Sequence, residues 1–585
     1  MTARRVWAPR ARAVELDLAG HRTAMRPAGG GWFEVDVGGA EAATDYRFSL
    51  DGGAPLPDPR SPWQPHGTEG ASRAVDHASF TWHDAGWRPP PLASSVLYEL
   101  HVGTFSGPGT FDGVVTRLDH LVELGATAVE LMPLAEFPGR RGWGYDGVFP
   151  FAPHHAYGGP EGLQRLVDAC HGRGLAVVID VVYNHLGPSG NVLPAYGPYL
   201  YDRYRTPWGE AVNLDGPGSD EVRRYFIDNA LMWLRDYHAD GLRLDAVHAI
   251  VDTSAVHFLE QMATEVEVLA AHLGRPLWLI AESDLNDPRL VRRRDAGGYG
   301  LDAQWDDDFH HAVHALLTGE RDGYYADFGT AADVATVLRH RYLYRGQYST
   351  SRQRRHGRDA DDVPGWRFVA FTQNHDQVGN RATGERSAAL MSPAGLRLAA
   401  ALVCLAPFVP LLFEGEEWGA STPFLYFTDH TDAELGRAVT EGRRHEFAAF
   451  GWGPEDVPDP QAEATWEASR LRWDEVGEPG HVELLEWYRA LLRLRREHAG
   501  LTDGRCDRVE VTTDEDARTI VVRRGAIVLA AHFGDGAAAA CVPTGATAVL
   551  VFPPGASSAD GARVEDGRVS FDGEGVVVLC VQPGP

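Results

Sequence analysis

No lysine occurs anywhere in the 585 residues; all 54 basic residues are arginine. That absence excludes Schiff-base catalysis, a pyridoxal aldimine and a phosphate-loop lysine, since each requires an ε-amino group. Cysteine is scarce as well. Cys170, Cys404, Cys506, Cys541 and Cys580 are scattered, odd in number and without metal spacing, so they read as reduced structural thiols of a cytoplasmic protein. No apolar run approaches a membrane span, and MTARRVWAPRARAVELDLAG lacks the continuous apolar core of a signal peptide. Positive charge is in deficit: 54 basic residues face 82 acidic ones, a formal net charge of -28. Such a surface repels nucleic acid and anionic lipid, so neither is expected as a partner, and a neutral or cationic ligand is favoured.

What is present falls into three patterns. Residues 1–90 carry short alternating segments such as VWAPRARAVELDL and GGWFEVDV, broken by Gly and Pro, which suit a small β-sandwich. WRPPPLASS (87–95) reads as a linker. Over 91–500, apolar strand-like runs alternate with amphipathic stretches. The runs are SVLYELHV, ATAVELMPL, LAVVIDVVYNH, GLRLDAVHAI, LWLIAESD, LDAQWDDDF, FVAFTQNHD and FVPLLFEGEEWG. Eight such units argue for an α/β fold, a (β/α)8 barrel with loop insertions. Residues 501–585 return to alternation (TIVVRRGAIVLAAHF, RVSFDGEGVVVLCVQP), expected as a C-terminal β-sandwich. The polar stretch 346–365 is expected as a long surface loop near the barrel mouth.

Reactive groups of such barrels sit at the C-terminal ends of strands. Four of the runs end in polar clusters: Asp180, Asn184 and His185; Arg243, Asp245 and His248; Glu282 and Asp284; Asn374, His375 and Asp376. One carboxylate there reads equally well as a helix cap or a lip salt bridge, but three or more strands ending this way argue for a site. Arg243 and Asp245 are two residues apart, so they share one strand face and point into the mouth, while Leu242 and Leu244 face the helices. Arginine keeps its proton, so it would hold Asp245 in its charged form, suited to a nucleophile or electrostatic stabiliser. Glu282 follows Leu277–Ala281, an apolar setting that raises a carboxyl pKa. One ionised and one protonated carboxyl meet the requirement of glycosidic cleavage.

The residues that carry this argument also carry a resemblance. DVVYNH (180–185), GLRLDAVH (241–248), the Glu of LIAESD (282) and FTQNHD (371–376) resemble, in order, the four signature regions of the α-amylase family, glycoside hydrolase family 13. The resemblance implies that Asp245 is the nucleophile of a retaining reaction and Glu282 the general acid and base. Asp376 would grip sugar hydroxyls and stabilise the transition state. Arg243 would orient Asp245, His185 and His375 would bond sugar hydroxyls, Tyr145 would stack beneath the sugar, and Asp180 would brace the mouth. Asp146 and His248 are further binding candidates. RGWGYDGVFPFAPHHAYGGPEGL (141–163), TPWGEAVNLDGPGS (206–219), LDAQWDDDFHHAVHALLTGE (301–320), FEGEEWGASTPFLYFTDH (413–430) and GRRHEFAAFGW (442–452) resemble the malto-oligosyltrehalose trehalohydrolase branch.

That branch implies cleavage of the α-1,4 bond beside the terminal trehalose of maltooligosyl trehalose, an N-terminal module of the carbohydrate-binding kind, and a partner synthase that makes the substrate. The candidate trehalose pocket is Trp143, Glu417, Trp418, Phe424 and the segment around Asp429 and His430. Alternatives are a glycogen branching or debranching enzyme, an α-amylase, or a non-catalytic α-glucan-binding protein. Three intact carboxylates argue against the last. The segment 188–220 is too short to complete the calcium site that many α-amylases build around an Asn in the place of Asn184. The His310, His311 and His314 spacing, like His154 and His155, reads as structural. No metal or other cofactor is therefore expected, and the oligomeric state is left open.

Overall fold

The computed structural model describes residues 2–38, 44–448, 453, 455–551 and 562–581. Each of the eight apolar runs supplies one strand of a closed barrel: β1 Leu97–Leu100, β2 Ala128–Leu131, β3 Ala176–Val181, β4 Gly241–Leu244, β5 Trp278–Ala281, β6 Ala303–Trp305, β7 Phe368–Ala370 and β8 Val409–Phe413. They neighbour one another in chain order, and β8 closes onto β1 in parallel register, Leu411 facing Leu97. Helices cover the outer face and side chains such as Val178, Ile280, Trp305 and Leu411 fill the interior, so the strands are buried on both sides and read as continuous apolar runs.

The helix after β2 shows how the covering layer is encoded. Gly159–His171 has Pro160 in its first turn and buries Leu163, Leu166, Val167 and Cys170, the i, i+3, i+4, i+7 stripe of a core-facing helix. The alternation is broken once. Between β5 and β6 the chain has no α-helix, only the 3-10 turn Arg294–Ala296. The expected loop at 346–365 opens with an antiparallel hairpin, Arg345–Ser349 with Arg354–Gly357, set at the mouth.

Two three-stranded antiparallel sheets form the N-terminal sandwich, one of Thr2–Trp7, Trp32–Val37 and Arg26–Gly29, the other of His21–Ala24, Val14–Leu18 and Tyr46–Leu50. It is fixed to the barrel helix Ser219–Asp236 through Arg60 and Asp228 (2.8 Å) and through the Tyr225 hydroxyl, which donates to the Pro59 carbonyl (2.8 Å). The segment expected as a linker is instead part of the barrel floor. Trp87 stacks on His171 with ring centroids 4.6 Å apart, and Leu92 packs with Leu97 and Ala128. Its apolar residues are what a solvated linker would lack.

The C-terminal region has a five-stranded sheet and a three-stranded one. Arg524 docks it on a helix end that Arg495, from the barrel's own last helix, also caps. Arg524 and Arg495, the latter on helix His481–Glu497, donate to the carbonyls of Cys404, Leu405 and Ala406 at the end of helix Pro393–Leu405. A helix C-terminus is the negative pole of its dipole, so it receives guanidinium groups without a carboxylate. All five cysteines are free thiols, three of them buried. Among the described residues no helix is long and apolar enough to cross a membrane.

Candidate active site

Parallel register sets Asp180 of β3 beside Arg243 of β4, and the ladder continues one step past the strand ends. The Asp245 N–H donates to the Val181 carbonyl (3.1 Å) and the Glu282 N–H to the Leu244 carbonyl (2.9 Å), so Asp245 and Glu282 stand side by side at the mouth. Arg243 is 0% exposed. Its Nη1 donates to Asp180 Oδ2 (2.8 Å) and Asp245 Oδ1 (3.0 Å), Nη2 lies 3.7 Å from Glu282 Oε2, and the guanidinium sits 4.2 Å over the Trp305 ring. Burying a lone guanidinium costs several kcal/mol, roughly, and these three carboxyls and the ring face offset that cost. The other Asp245 oxygen accepts from Asn184 Nδ2 (2.6 Å), which fixes the carboxylate at both ends. Ala246 follows in the left-handed region (φ 39°), a strained turn that aims its N–H at Glu282 Oε2 (2.6 Å).

Burial and neighbouring charges shift several of these groups. Burial, reinforced by Asp245, pushes the Glu282 carboxyl up from its ordinary value even though Arg243 opposes the shift. Burial likewise pushes Asp180 up to about 7 against the pull of Arg243. His375 goes the other way: burial alone would lower it, but Asp376 and Glu99 together carry it up to about 9. Its Nδ1 meets Glu99 Oε1 at 2.5 Å and its Nε2 meets the Tyr145 hydroxyl at 2.7 Å, while that hydroxyl donates to Asp180 Oδ2 at 2.8 Å. Asp376 stands at the rim with its side chain 42% exposed, 3.5 Å from His375 Nε2.

The three carboxylates and Arg243, His375 and Tyr145 therefore converge. His185 joins them, its Nε2 at 3.0 Å from the Tyr145 carbonyl and its ring stacked on Trp208 (4.4 Å, 4°). Asp146 lies at the rim, 3.8 Å from His430 Nε2. His248 is exposed beyond Asp245. Asp429, which accepts from Arg141 Nη2 at 3.0 Å, holds the 139–141 turn.

The expectation that Glu417, Trp418, Trp143 and Phe424 touch substrate is corrected by their burial. Glu417 is 0% exposed, behind the barrel wall, accepting from the Tyr98 hydroxyl and paired with His120. Trp418 donates to Glu475. Trp143 donates to the Leu425 carbonyl, stacks on Phe424 and buttresses His375 edge-on. Of GRRHEFAAFGW, residues 449–452 lie outside the described residues.

Four groups at the site escaped the sequence reading. Asp307, first residue of helix Asp307–Thr318, is a further carboxyl at the mouth; burial and the nearby Glu282, Asp284 and Asp376 push it well up. Tyr324, 43% exposed, and Trp208, 48% exposed, are open aromatic faces. Glu99 sits inside β1 beneath His375. The signal for Glu99 was the one that revealed Arg243: a charge alternating with apolar residues inside a buried run, here in LYEL. Asp307 had a signal too, in three aspartates after an apolar strand.

One cluster has metal-like composition: Glu136, His154 and His155. His154 Nδ1 accepts the Ala156 N–H (3.2 Å), so its proton resides on Nε2 and that nitrogen has no lone pair to offer. The remaining pair, His155 Nδ1 on Glu136 Oε1 at 2.7 Å, is a hydrogen bond. In the FHHAVH helix, His310 bonds the Thr372 carbonyl and the Tyr325 hydroxyl, and His314 pairs with Glu320. Both clusters are structural as arranged.

Comparison with known proteins agrees with this geometry. Residues 78–193 match the family model of the alpha amylase catalytic domain. Malto-oligosyltrehalose trehalohydrolase of Arthrobacter ramosus is 54% identical over 525 residues, covering 89% of this chain and 91% of that protein. The protein of the same name from Mycobacterium tuberculosis is 49% identical over 94% of this chain and 95% of its own length. A crystal structure from Salmonella typhimurium, provisionally described as an alpha amylase, superposes with a TM-score of 0.90 at 38% identity over 99% of this chain and 97% of that one. The chain belongs to the malto-oligosyltrehalose trehalohydrolases of the α-amylase family.

Proposed function

We propose that the chain hydrolyses the α-1,4-glucosidic bond beside the terminal trehalose of maltooligosyl trehalose, with retention, releasing trehalose and a maltodextrin. The observation that carries the reaction type is the Asp245–Arg243–Glu282 arrangement. The two residues neighbour one another on adjacent strands and both carboxyls meet one guanidinium, Asp245 at 3.0 Å and Glu282 at 3.7 Å, which suits the short separation of a retaining pair, about 5–5.5 Å. Asp245, fixed by Arg243 and Asn184, attacks the anomeric carbon and forms a glycosyl-enzyme ester. Glu282, with its pKa raised, gives its proton to the departing trehalose oxygen. It then takes a proton from the water that opens the ester. Asp376, His375 and His185 hold hydroxyls of the sugar at the reacting centre, and Tyr145 lies beneath it. Asp146 and His248 contact the chain further out.

Names of relatives at about half identity support the substrate, an α-glucan oligosaccharide ending in trehalose, over branching, debranching or general amylase activity. A place in trehalose synthesis, a cytoplasmic location with reduced thiols, and a synthase that makes the substrate accompany this reading. The test is incubation with maltooligosyl trehalose and with maltohexaose, products followed by chromatography. Free trehalose from the first and little action on the second are expected; efficient cutting of maltohexaose, or new α-1,6 branches in amylose, defeats the specificity.

A further inference from the structure

Two carboxyls share the barrel interior beneath the site, and the reaction as derived uses neither. Glu99 on β1 and Glu130 on β2 are direct register partners, each 1% exposed. Their surroundings differ. Glu99 accepts from two N–H groups of His375, at Nδ1 (2.5 Å) and at the backbone (3.0 Å), the pattern of a carboxylate. Glu130 has no partner on either oxygen. An unbonded carboxylate buried beside another one is costly, and one proton removes the charge part of that cost. Burial, then Glu99, accordingly push the Glu130 carboxyl well up. The other charged or titratable groups facing this pair and His375 are Asp180 from β3, Arg243 from β4, Asp376 beside the ring, Glu414 after β8, His101 after β1, and Tyr145.

We propose that Glu99 and Glu130 form a one-proton carboxyl pair: Glu130 holds the proton, and Glu99, left as the anion, keeps His375 doubly protonated toward the cleft. Both are positioning residues, and the inference rests on the reading of His375 as a sugar contact. The proton inventory above them gives the pair its purpose. With both ring nitrogens protonated, Nδ1–H donates to Glu99 and Nε2–H to the Tyr145 oxygen, leaving the Tyr145 proton for Asp180. Were His375 neutral with its proton on Nδ1, Nε2 and Asp180 would compete for that one hydroxyl proton. The bracing of Arg243 through Asp180, and with it the aim of Asp245, would weaken.

Two measurements test the pair. The infrared difference between wild type and Glu130→Gln at about pH 8 should contain the C=O stretch of a protonated carboxylic acid, and its absence overturns the proposal. This arm needs no substrate, so it stands apart from any error in the assigned cleavage. In the second, affinity for maltohexaose is followed against pH by calorimetry above the Asp180 value of about 7 in the Glu282→Gln background, so that neither carboxyl titrates in the window. Affinity should hold to near the His375 value of about 9 and then fall. Adding Glu99→Gln should start the fall about one pH unit lower or more, whereas adding Glu130→Gln should leave the curve in place, because an amide imitates a neutral acid. An unshifted curve with Glu99→Gln, or a shifted one with Glu130→Gln, overturns the pair. If maltohexaose does not bind, the infrared result alone decides, and the failure belongs to the glucan assignment.

Discussion

Strand β4 passes through two buried charge networks, one at each end, and they are built on opposite plans. Before the strand, Asp240 is saturated. Its Oδ1 accepts from Trp87 Nε1 (2.9 Å) and Arg275 Nη1 (2.6 Å), and its Oδ2 from the Val177 N–H (2.9 Å) and His171 Nε2 (3.0 Å). His171 passes on to Asp84 Oδ2 (2.8 Å), which also takes His238 (2.8 Å). After the strand, Arg243 Nε and Nη2 and Asp180 Oδ1 have no hydrogen-bond partner, and Asp376 opens to solvent. The same residue types, His, Asp and Arg, thus close one end and leave bonding capacity unused at the other. Saturation rigidifies; at the mouth the unbonded Arg243 and Asp180 atoms are themselves buried, and the group left open to a substrate is Asp376.

The contrast predicts that variants at the two ends fail differently. The largest effect is at the mouth. Asp245→Ala should lower kcat by about 10,000-fold or more, as removal of a nucleophile does, with the melting temperature retained because Arg243 keeps Asp180. Glycosidase activity near wild type in that variant would end the assignment. Glu282→Gln should cost about 100- to 10,000-fold. Wild-type kcat should fall as pH rises through the raised Glu282 value, since the acid must be protonated, and that fall should vanish in the amide variant. Initial rates of trehalose release against pH measure both.

At the closed end the signs reverse. Asp240→Ala leaves Arg275 and His171 buried without their partner, and should destabilise by about 3–5 kcal/mol in denaturant titration. Turnover well below the unfolding temperature should be preserved. Lost turnover in a still-folded Asp240→Ala would dissolve the comparison. A smaller effect follows from His171, which burial would lower but Asp240 and Asp84 raise above 6.5. A raised folded value gives stability that is complete below the unfolded 6.5 and lost as pH climbs through the folded one. The melting temperature should therefore decline on the alkaline side of 6.5, and less so in Asp84→Asn.

Much of this was legible before any coordinates. The eight apolar runs marked the eight strands because a parallel strand covered on both faces leaves no alternation to confuse with anything else. The strand-end charges were legible because Arg243 and Asp245 have no structural excuse in an apolar run. What could not be read was direction away from a strand. Glu417 and Trp418 follow β8 within a few residues, as the polar groups of the other strand ends do, yet the chain turns outward there and buries them against His120 and Glu475. Period-two reasoning ends where the strand ends. Trp208 and Tyr324 were illegible for a related reason: they stand on insertions whose path over the mouth is set by tertiary contacts. Trp87 and Leu92 show the reverse error, since Pro-rich spelling suggested a linker where apolar residues on either side of the prolines close the barrel floor.

The two exposed rings carry the smallest prediction and the one that bears on specificity. Trp208 belongs to the insertion after β3 and Tyr324 to the one after β6, three strands away in a barrel of eight, so they stand on nearly opposite walls. Each is backed by a histidine, His185 at 4.4 Å and His311 at 4.8 Å, which holds the ring flat toward the cleft. A stacked ring contributes about 0.5–1.5 kcal/mol, so Trp208→Ala and Tyr324→Ala should each raise KM about two- to tenfold with kcat little changed. The walls separate by substrate. The ring on the trehalose side should matter for maltooligosyl trehalose and scarcely for maltohexaose, whereas the ring on the glucan side should matter for both. Equal losses on both substrates from both variants would mean that neither wall reads the trehalose, and that selection lies elsewhere at the mouth, as at Asp307 or at Asp284, which pairs with Arg352 of the mouth hairpin at 3.0 Å.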